Sequence, residues 1–323
     1  MLFPYLGGIQ NFLRAPVTWL LVLANVGIFF FYFEQSQSVS RQLDHHLDDD
    51  FFIQTQGELY KRFLKSPRTI ASAEVSHRVY LMGTLALRDQ SFLSAVNVIP
   101  ASADRVAFDY WRRSVQSLLH ARRQHPNFFM GLTLHKSGWR QYLLYQFAHS
   151  SFQHLIGNMV FLLIFGAVLE QLLGGLGFLM VYLGSGVVAA LAFLSMTEPT
   201  TAPLVGASGS ISGLIALFAT LYWNRPVRYF FWVLPRKNYY GFIFLPAIIT
   251  LFLWMMTDLA GYLSAVGDFG GVAYSAHLGG HFAGFLLGVA LLQFSDIRKR
   301  MDKGTYVSQG PWAWNRKGFQ PFR

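Results

Sequence analysis

Apolar residues along this chain gather into six long, nearly uninterrupted stretches, at 16–33, 151–173, 178–196, 206–223, 241–259 and 276–294. A helix needs about 20 apolar residues to cross a hydrocarbon core, so each stretch is predicted as a transmembrane helix. Between the first and second stretches the pattern changes. There Phe108, Trp111, Val115 and Leu118 recur at helical spacing opposite Arg112, Arg113, Arg122 and Arg123, and Phe52, Leu59 and Phe63 suggest a second amphipathic helix. Such spacing predicts a small helical module outside the membrane, acting as a packing cap or as a substrate-recruiting or membrane-surface element. The expected fold is an all-α polytopic membrane protein with a six-transmembrane-helix core and a long, helical first extramembrane loop. Its expected divisions are 1–33 (short N-terminus and first span), 34–140 (loop module), 141–295 (core helices two to six) and 296–323 (basic tail). No internal repeat or low-complexity tract interrupts this plan.

Composition points to lipid rather than water as the solvent. Charged residues make up 13%, against roughly 25% in an average soluble domain, while 53% are hydrophobic and the mean hydropathy is +0.34. This excludes an ordinary soluble domain, a disordered chain and a fibrous one. The absence of cysteine excludes disulfides, cysteine-held zinc and a thiol nucleophile. Net charge is +10, yet the basic residues are spread over loops and a tail with no basic stripe, so membrane orientation explains them and nucleic-acid binding is not expected.

With a cytoplasmic N-terminus, the cytoplasmic side receives Arg14, then Arg225, Arg228, Arg236 and Lys237, then Arg298, Lys299, Arg300, Lys303, Arg316, Lys317 and Arg323. The opposite loops, 197–205 and 260–275, carry no Lys or Arg. The positive-inside rule therefore predicts both termini in the cytoplasm, and the compact six-helix plan predicts a bacterial cytoplasmic membrane. Only Arg14 precedes the first stretch, no small-x-small cleavage site closes it and Asn25 interrupts it, so it reads as a retained anchor.

Ionisable groups inside spans are costly, and each is by default a functional hypothesis. His149, His154 and Glu170 lie in or beside the second span, Asp258 at the end of the fifth, and His277 and His281 at the start of the sixth, with Asn158 and Ser208 as uncharged companions. In the orientation above, the second, fourth and sixth spans enter from outside and carry His149, His154 and Asn158, then Ser208, then His277 at similar shallow depth. Three helices could thus converge on one site.

Gly206-Ala207-Ser208-Gly209 heads the fourth span, where glycines permit a tight turn and a serine amide at a helix start is free to stabilise an oxyanion. Alone the motif reads as a close-packing device, as does Gly209-xxx-Gly213. Gly280, Gly284 and Gly288 form a stripe at four-residue steps on the sixth span. If that stripe packs on the fourth span, His277 stands beside Ser208 and can take its proton. Asp258 and Asp268 are both available to orient the imidazole, and nothing in their spacing selects one. His154 and Asn158, four apart, share a helix face and, with the Ser208 amide, would complete an oxyanion hole.

Taken in order, Trp139-Arg140, His149-xxxx-His154-xxx-Asn158, Glu170, Gly206-x-Ser208-Gly209 and Ala276-His277-xx-Gly280-xxx-Gly284 resemble the rhomboid family of intramembrane serine proteases. The resemblance implies Ser208 as nucleophile, His277 as general base, and His154, Asn158 and the Ser208 amide as the oxyanion hole. It also implies that His149 braces the first loop, that Gly206 and Gly209 shape the serine turn, and that Gly280 and Gly284 let the sixth helix meet the fourth. The implied substrates are transmembrane helices of membrane proteins, cut near the outer membrane face through an acyl-enzyme, in contact with lipid and without cofactor or metal.

The long 34–140 loop and the aromatic 223–240 connection, with Tyr229, Phe230, Phe231 and Trp232, depart from a minimal rhomboid core and bear on substrate choice. His281 is an addition outside the implied catalytic set. Two other readings use the same residues. One is a rhomboid-like membrane chaperone or scaffold that binds clients without cutting them, for which loss of Ser208 or His277 would be the sign. The other is a metal site or transporter built on His149, His154, His277 and His281, which lacks the carboxylate of an HExxH hydrolase and leaves Ser208 without a role. Substrate identity and oligomeric state are not encoded in these patterns.

Overall fold

The computed structural model describes residues 2–4, 13–64, 75–87, 89–100, 104–134, 138–197, 202–232, 240–264 and 273–303. Asp268, Arg236, Lys237 and the tail cations Arg316, Lys317 and Arg323 lie outside the described residues. In chain order the elements are β1 (Leu2–Pro4), α1 (Pro16–Phe31), α2 (Phe33–Leu47), α3 (Asp50–Phe63), α4 (Val75–Ala86), α5 (Gln90–Ser94), α6 (Arg105–Gln124), and the short turns α7 (Pro126–Phe129) and α8 (Gln141–Leu144). There follow α9 (Phe152–Leu173), α10 (Gly175–Met196), α11 (Ser208–Leu221), β2 (Pro226–Trp232), β3 (Tyr240–Pro246), α12 (Ala247–Ser264), α13 (Tyr274–Leu291) and α14 (Ser295–Lys303). The chain divides into two compact units, one of Met1–Val26, Ser151–Ser195 and Gly206–Arg323, the other of Gly27–Ser150 and Met196–Val205.

Six apolar helices, α1 and α9 to α13, stand where six stretches predicted them. By length and composition α9, α10 and α12 each suffice to cross a membrane, with two more if the bent pairs α1–α2 and α13–α14 each count as one span. Helix α11 has 14 residues, which at about 1.5 Å per residue falls short of a hydrocarbon core about 30 Å thick. Every residue from Gly209 to Leu221 is buried, so α11 is enclosed by protein on all sides. The apolar faces turned outward on its neighbours, such as Leu20, Ile156, Met180, Phe252 and Phe285, suit lipid. The protein is an integral, multi-pass membrane protein built mainly of helices.

One boundary differs from the sequence expectation. Residues 241–246, assigned to the fifth span, belong to β3. Strands β2 and β3 pair antiparallel from Pro226↔Pro246 to Trp232↔Tyr240, and β1 adds to β2 at Leu2↔Phe231 through Pro4↔Tyr229. A short apolar run rich in Phe and Ile is ambiguous between strand and buried helix, because periodicity cannot separate them. Pro246 has no amide hydrogen to donate to a ladder and ends the strand, and α12 begins one residue later.

Glu170 serves the scaffold. Its carboxylate accepts from the Val17 amide (2.9 Å), the Thr18 amide (2.7 Å) and the Thr18 hydroxyl (2.7 Å). A buried anion thereby satisfies the free amides at the start of α1 and meets the positive end of its dipole.

The second unit has a core of its own. Phe52, Ile53, Leu59, Phe92, Phe108, Trp111, Val115 and Leu118 form one buried cluster, as the amphipathic spacing predicted for α3 and α6. Phe63, expected on the same face, is 37% exposed, since it is the last residue of α3 and sits at the rim. Asp49, Asp89 and Asp104 cap α3, α5 and α6 by accepting first-turn amides at 2.8–3.0 Å. Buried Gln56 donates to the Gly83 carbonyl (2.7 Å) and accepts from the Trp111 indole (3.3 Å). His125 Nδ1 accepts from the Asn127 amide at 3.2 Å, its Nε2 faces the Ser36 hydroxyl at 3.1 Å, and burial pushes its pKa below the usual histidine value.

Candidate active site

Helices α11 and α13 form the most extensive helix pair of the first unit, and their glycines explain why. A Cβ on Gly280 would lie 2.1 Å from the Gly209 carbonyl oxygen, and one on Gly284 would lie 2.0 Å from that of Gly213. Backbone meets backbone along this seam, as the stripe predicted. Because His277 stands one turn before Gly280 and Ser208 directly precedes Gly209, the same seam sets imidazole against hydroxyl. His277 Nε2 lies 2.9 Å from Ser208 Oγ.

The third partner comes from α12. Asp258 Oδ1 lies 2.9 Å from His277 Nδ1, and its second oxygen lies 3.0 Å from His281 Nε2. His281 Nδ1 in turn faces the Ser212 carbonyl oxygen on α11 at 3.1 Å. Exposure falls along this chain of groups, from 18% for the His277 side chain to 8% for Asp258 and 1% for His281. A carboxylate accepting at His277 Nδ1 fixes that nitrogen as the protonated one, which leaves the Nε2 lone pair facing the serine hydroxyl. This is the arrangement a general base requires.

Sequence reasoning left Asp258 and Asp268 open and set His281 aside. The four-residue interval between His277 and His281, which as spacing alone also suits a pair of metal ligands, puts both rings on one helix face where a single carboxylate serves both.

Ser208 is the first residue of α11, so its amide has no helical carbonyl four residues back to donate to. Two residues earlier, Gly206 has φ +112°, a conformation that favours glycine. A Cβ there would lie 2.7 Å from His154 Nε2 and 3.4 Å from Asn158 Nδ2, so both side chains of α9 crowd against the serine turn. Ser151 caps α9 by accepting the His154 amide at 3.2 Å, which puts His154 in the first turn. The Asn158 Nδ2 is buried with no hydrogen-bond partner among the described residues. His149 is buried in the second unit, just ahead of α9 in the chain. In the same unit the Arg140 guanidinium stands over the Trp139 ring at 5.6 Å. Glu170, grouped with the polar residues by sequence, instead caps α1 as described above.

A family model of the Rhomboid domain matches residues 136–294, the stretch that contains every group named in this site. The chain is 33% identical over 150 residues to YdcA of Bacillus subtilis strain 168, provisionally named a rhomboid protease, covering 46% of this chain and 66% of that protein. It is 31% identical over 148 residues to the mitochondrial Rhomboid protein 1 of Saccharomyces cerevisiae, covering 44% of this chain and 39% of that one. It is 29% identical over 161 residues to Rhomboid-related protein 2 of Mus musculus, covering 50% of each. The chain thus spans between about a third and two thirds of the length of these relatives. With the glycine seam, the serine turn and the matched domain coinciding on the same residues, the chain belongs to the rhomboid family.

Proposed function

We propose that this protein is an intramembrane serine endopeptidase that cuts transmembrane helices of other membrane proteins near the outer membrane face. The observation that carries the reading is the 2.9 Å contact between Ser208 Oγ and His277 Nε2, with His277 held at its far nitrogen. In this mechanism Ser208 Oγ attacks the scissile carbonyl as its proton passes to His277 Nε2. His154, Asn158 and the Ser208 amide donate to the oxyanion, and the unpartnered Asn158 Nδ2 supports that role, since an oxyanion supplies the acceptor it lacks. The imidazolium then gives its proton to the leaving amine, and water hydrolyses the acyl-enzyme with His277 again as base. A substrate helix enters sideways between α9 and α12, where Phe161 and Trp254 meet edge to face at 4.9 Å. Its end unwinds there, because a helical carbonyl is hydrogen-bonded and shielded.

In the cell, the compact six-helix plan supports a bacterial cytoplasmic membrane, and the positive-inside distribution supports cytoplasmic termini with the site opening outward. The 34–140 module, with its own core, is then a separate extramembrane domain bearing on substrate choice.

A fluorophosphonate probe tests the reading on the detergent-solubilised full chain. Wild type is expected to label, Ser208→Ala and His277→Ala not to label, and a strong chelator to leave wild-type labelling unchanged. A well-folded wild type that stays unlabelled would contradict it.

A further inference from the structure

We infer that His281 is held as an imidazolium that balances Asp258, and that Asp258 so balanced is the positioning residue for His277. The inference deepens the protease reading and rests on it for its catalytic meaning.

The Ser212 oxygen is a carbonyl and can only accept, so the 3.1 Å contact requires a hydrogen on His281 Nδ1. The other ring nitrogen lies 3.0 Å from Asp258 Oδ2, and this line also requires a hydrogen. A neutral His281 beside an ionised Asp258 would set two lone pairs against each other in a place nearly closed to water. The pair therefore holds one proton beyond that of a carboxylate and a neutral ring, and its net charge is zero. An imidazole binds protons far more tightly than a carboxylate, with ordinary values of about 6.5 against about 3.9, so the proton rides on His281. Asp258 Oδ1 remains to accept from His277 Nδ1–H, and Ser208, His277, Asp258 and His281 are neutral as a set.

The charges around the set support this balance. Among the described residues, the other ionisable side chains on the helices packed here are His154 and Glu170 on α9, Tyr182 on α10, Tyr262 on α12 and Tyr274 on α13. Helix α11 carries none, and Glu170 is engaged at the start of α1. Tyr274 stands edge-on to His277 at 6.4 Å. A carboxylate accepting at His277 Nδ1 orients the ring, and a charged His281 offsets the field of that carboxylate. With His281 charged, Asp258 keeps the ring oriented and receives the imidazolium when it forms, without charging it beforehand.

The test follows the rate of fluorophosphonate labelling against pH for the full chain in detergent, in wild type, His281→Gln, Asp258→Asn and the double variant. His281→Gln is expected to move the acidic midpoint of the profile upward by about one unit or more while keeping the high-pH plateau. Asp258→Asn is expected to lower the plateau by roughly 10²-fold or more. The double variant should show the low plateau without the upward shift. If His281→Gln leaves the profile unchanged, or lowers it equally at every pH, the ring is only a structural brace and the inference is overturned. Ring ¹⁵N spectra of the wild type give a reading that needs no variant to fold. One histidine should stay doubly protonated at pH 8, and finding none would overturn the proton count. A wild type that never labels but retains that ring would instead contradict the protease reading alone.

Discussion

Among the described residues, α3–α4 and α11–α13 are helix pairs in which an added glycine Cβ would lie 2.0–2.1 Å from a facing backbone oxygen, and they differ in what surrounds the contact. In the second unit, α3 crosses α4 where a Cβ on Gly57 would lie 2.0 Å from the Val79 oxygen and one on Gly83 would lie 2.1 Å from that of Ile53. That crossing lies in one buried cluster with Phe52, Phe92 and Trp111, and buried Gln56 beside it is bonded to the Gly83 carbonyl of α4 and the Trp111 indole of α6. In the first unit, the α11–α13 seam is just as close but ends in Ser208, His277, Asp258 and His281. A glycine contact is therefore not itself the mark of a site. The polar groups it brings to hydrogen-bond distance are, because a seam without adjustable side chains fixes their separation.

Gly280→Ala should separate the two contacts by the largest effect. The added carbon would push Gly209, and with it Ser208, away from His277. Because displacements of about 1 Å can cost about 10²-fold in rate, labelling of Ser208 should fall at least that far. Gly57→Ala should cost a similar stability, about 1–3 kcal/mol of overpacking, read as faster hydrogen exchange in 50–86 while labelling persists. Equal loss of labelling in both variants would erase the distinction.

Glu170→Ala comes next. It strips three donors at the start of α1 of their acceptor and should cost about 3 kcal/mol, seen as a lower melting temperature of the solubilised protein. Gln56→Leu should cost about 1–3 kcal/mol in the second unit by leaving the Gly83 carbonyl and the Trp111 indole unpaired, again read by hydrogen exchange.

The smallest effect is a pH dependence at His125. Its folded pKa lies below the unfolded value of about 6.5, so the unfolded chain binds more protons in that interval. Its contribution is complete above about 6.5 and declines as pH falls toward the lowered folded value. Protection in 105–124, taken relative to the intrinsic exchange rate at each pH, should fall between pH 7.5 and 5, and His125→Asn, which can still cap the following turn, should flatten that trend.

Much of this was legible in the sequence, because the physics involved is periodic. Six apolar stretches located the helices of the core, Phe108, Trp111, Val115 and Leu118 located the buried face of α6, and the Gly280–Gly284–Gly288 spacing located the seam that joins Ser208 to His277. What could not be read lacks a period. Residues 241–246 suit a strand or a helix equally until Pro226–Trp232 pairs with them. Choosing Asp258 over Asp268 depends on where α12 places a carboxylate across from α13, a distance between elements far apart in sequence. His281 looked dispensable because its partners, Asp258 and the Ser212 carbonyl, lie on two other helices.

The central claim, that the Ser208–His277 pair performs peptide-bond hydrolysis inside the membrane, is tested most directly in liposomes. Purified full chain would be reconstituted with a panel of fluorescent single-span peptides and the products mapped by mass spectrometry. Cleavage confined to one end of the helix in wild type, and absent in Ser208→Ala, is the predicted result. A wild type whose serine labels with fluorophosphonate yet binds these helices without cutting any of them would contradict the account and identify a client-binding rhomboid.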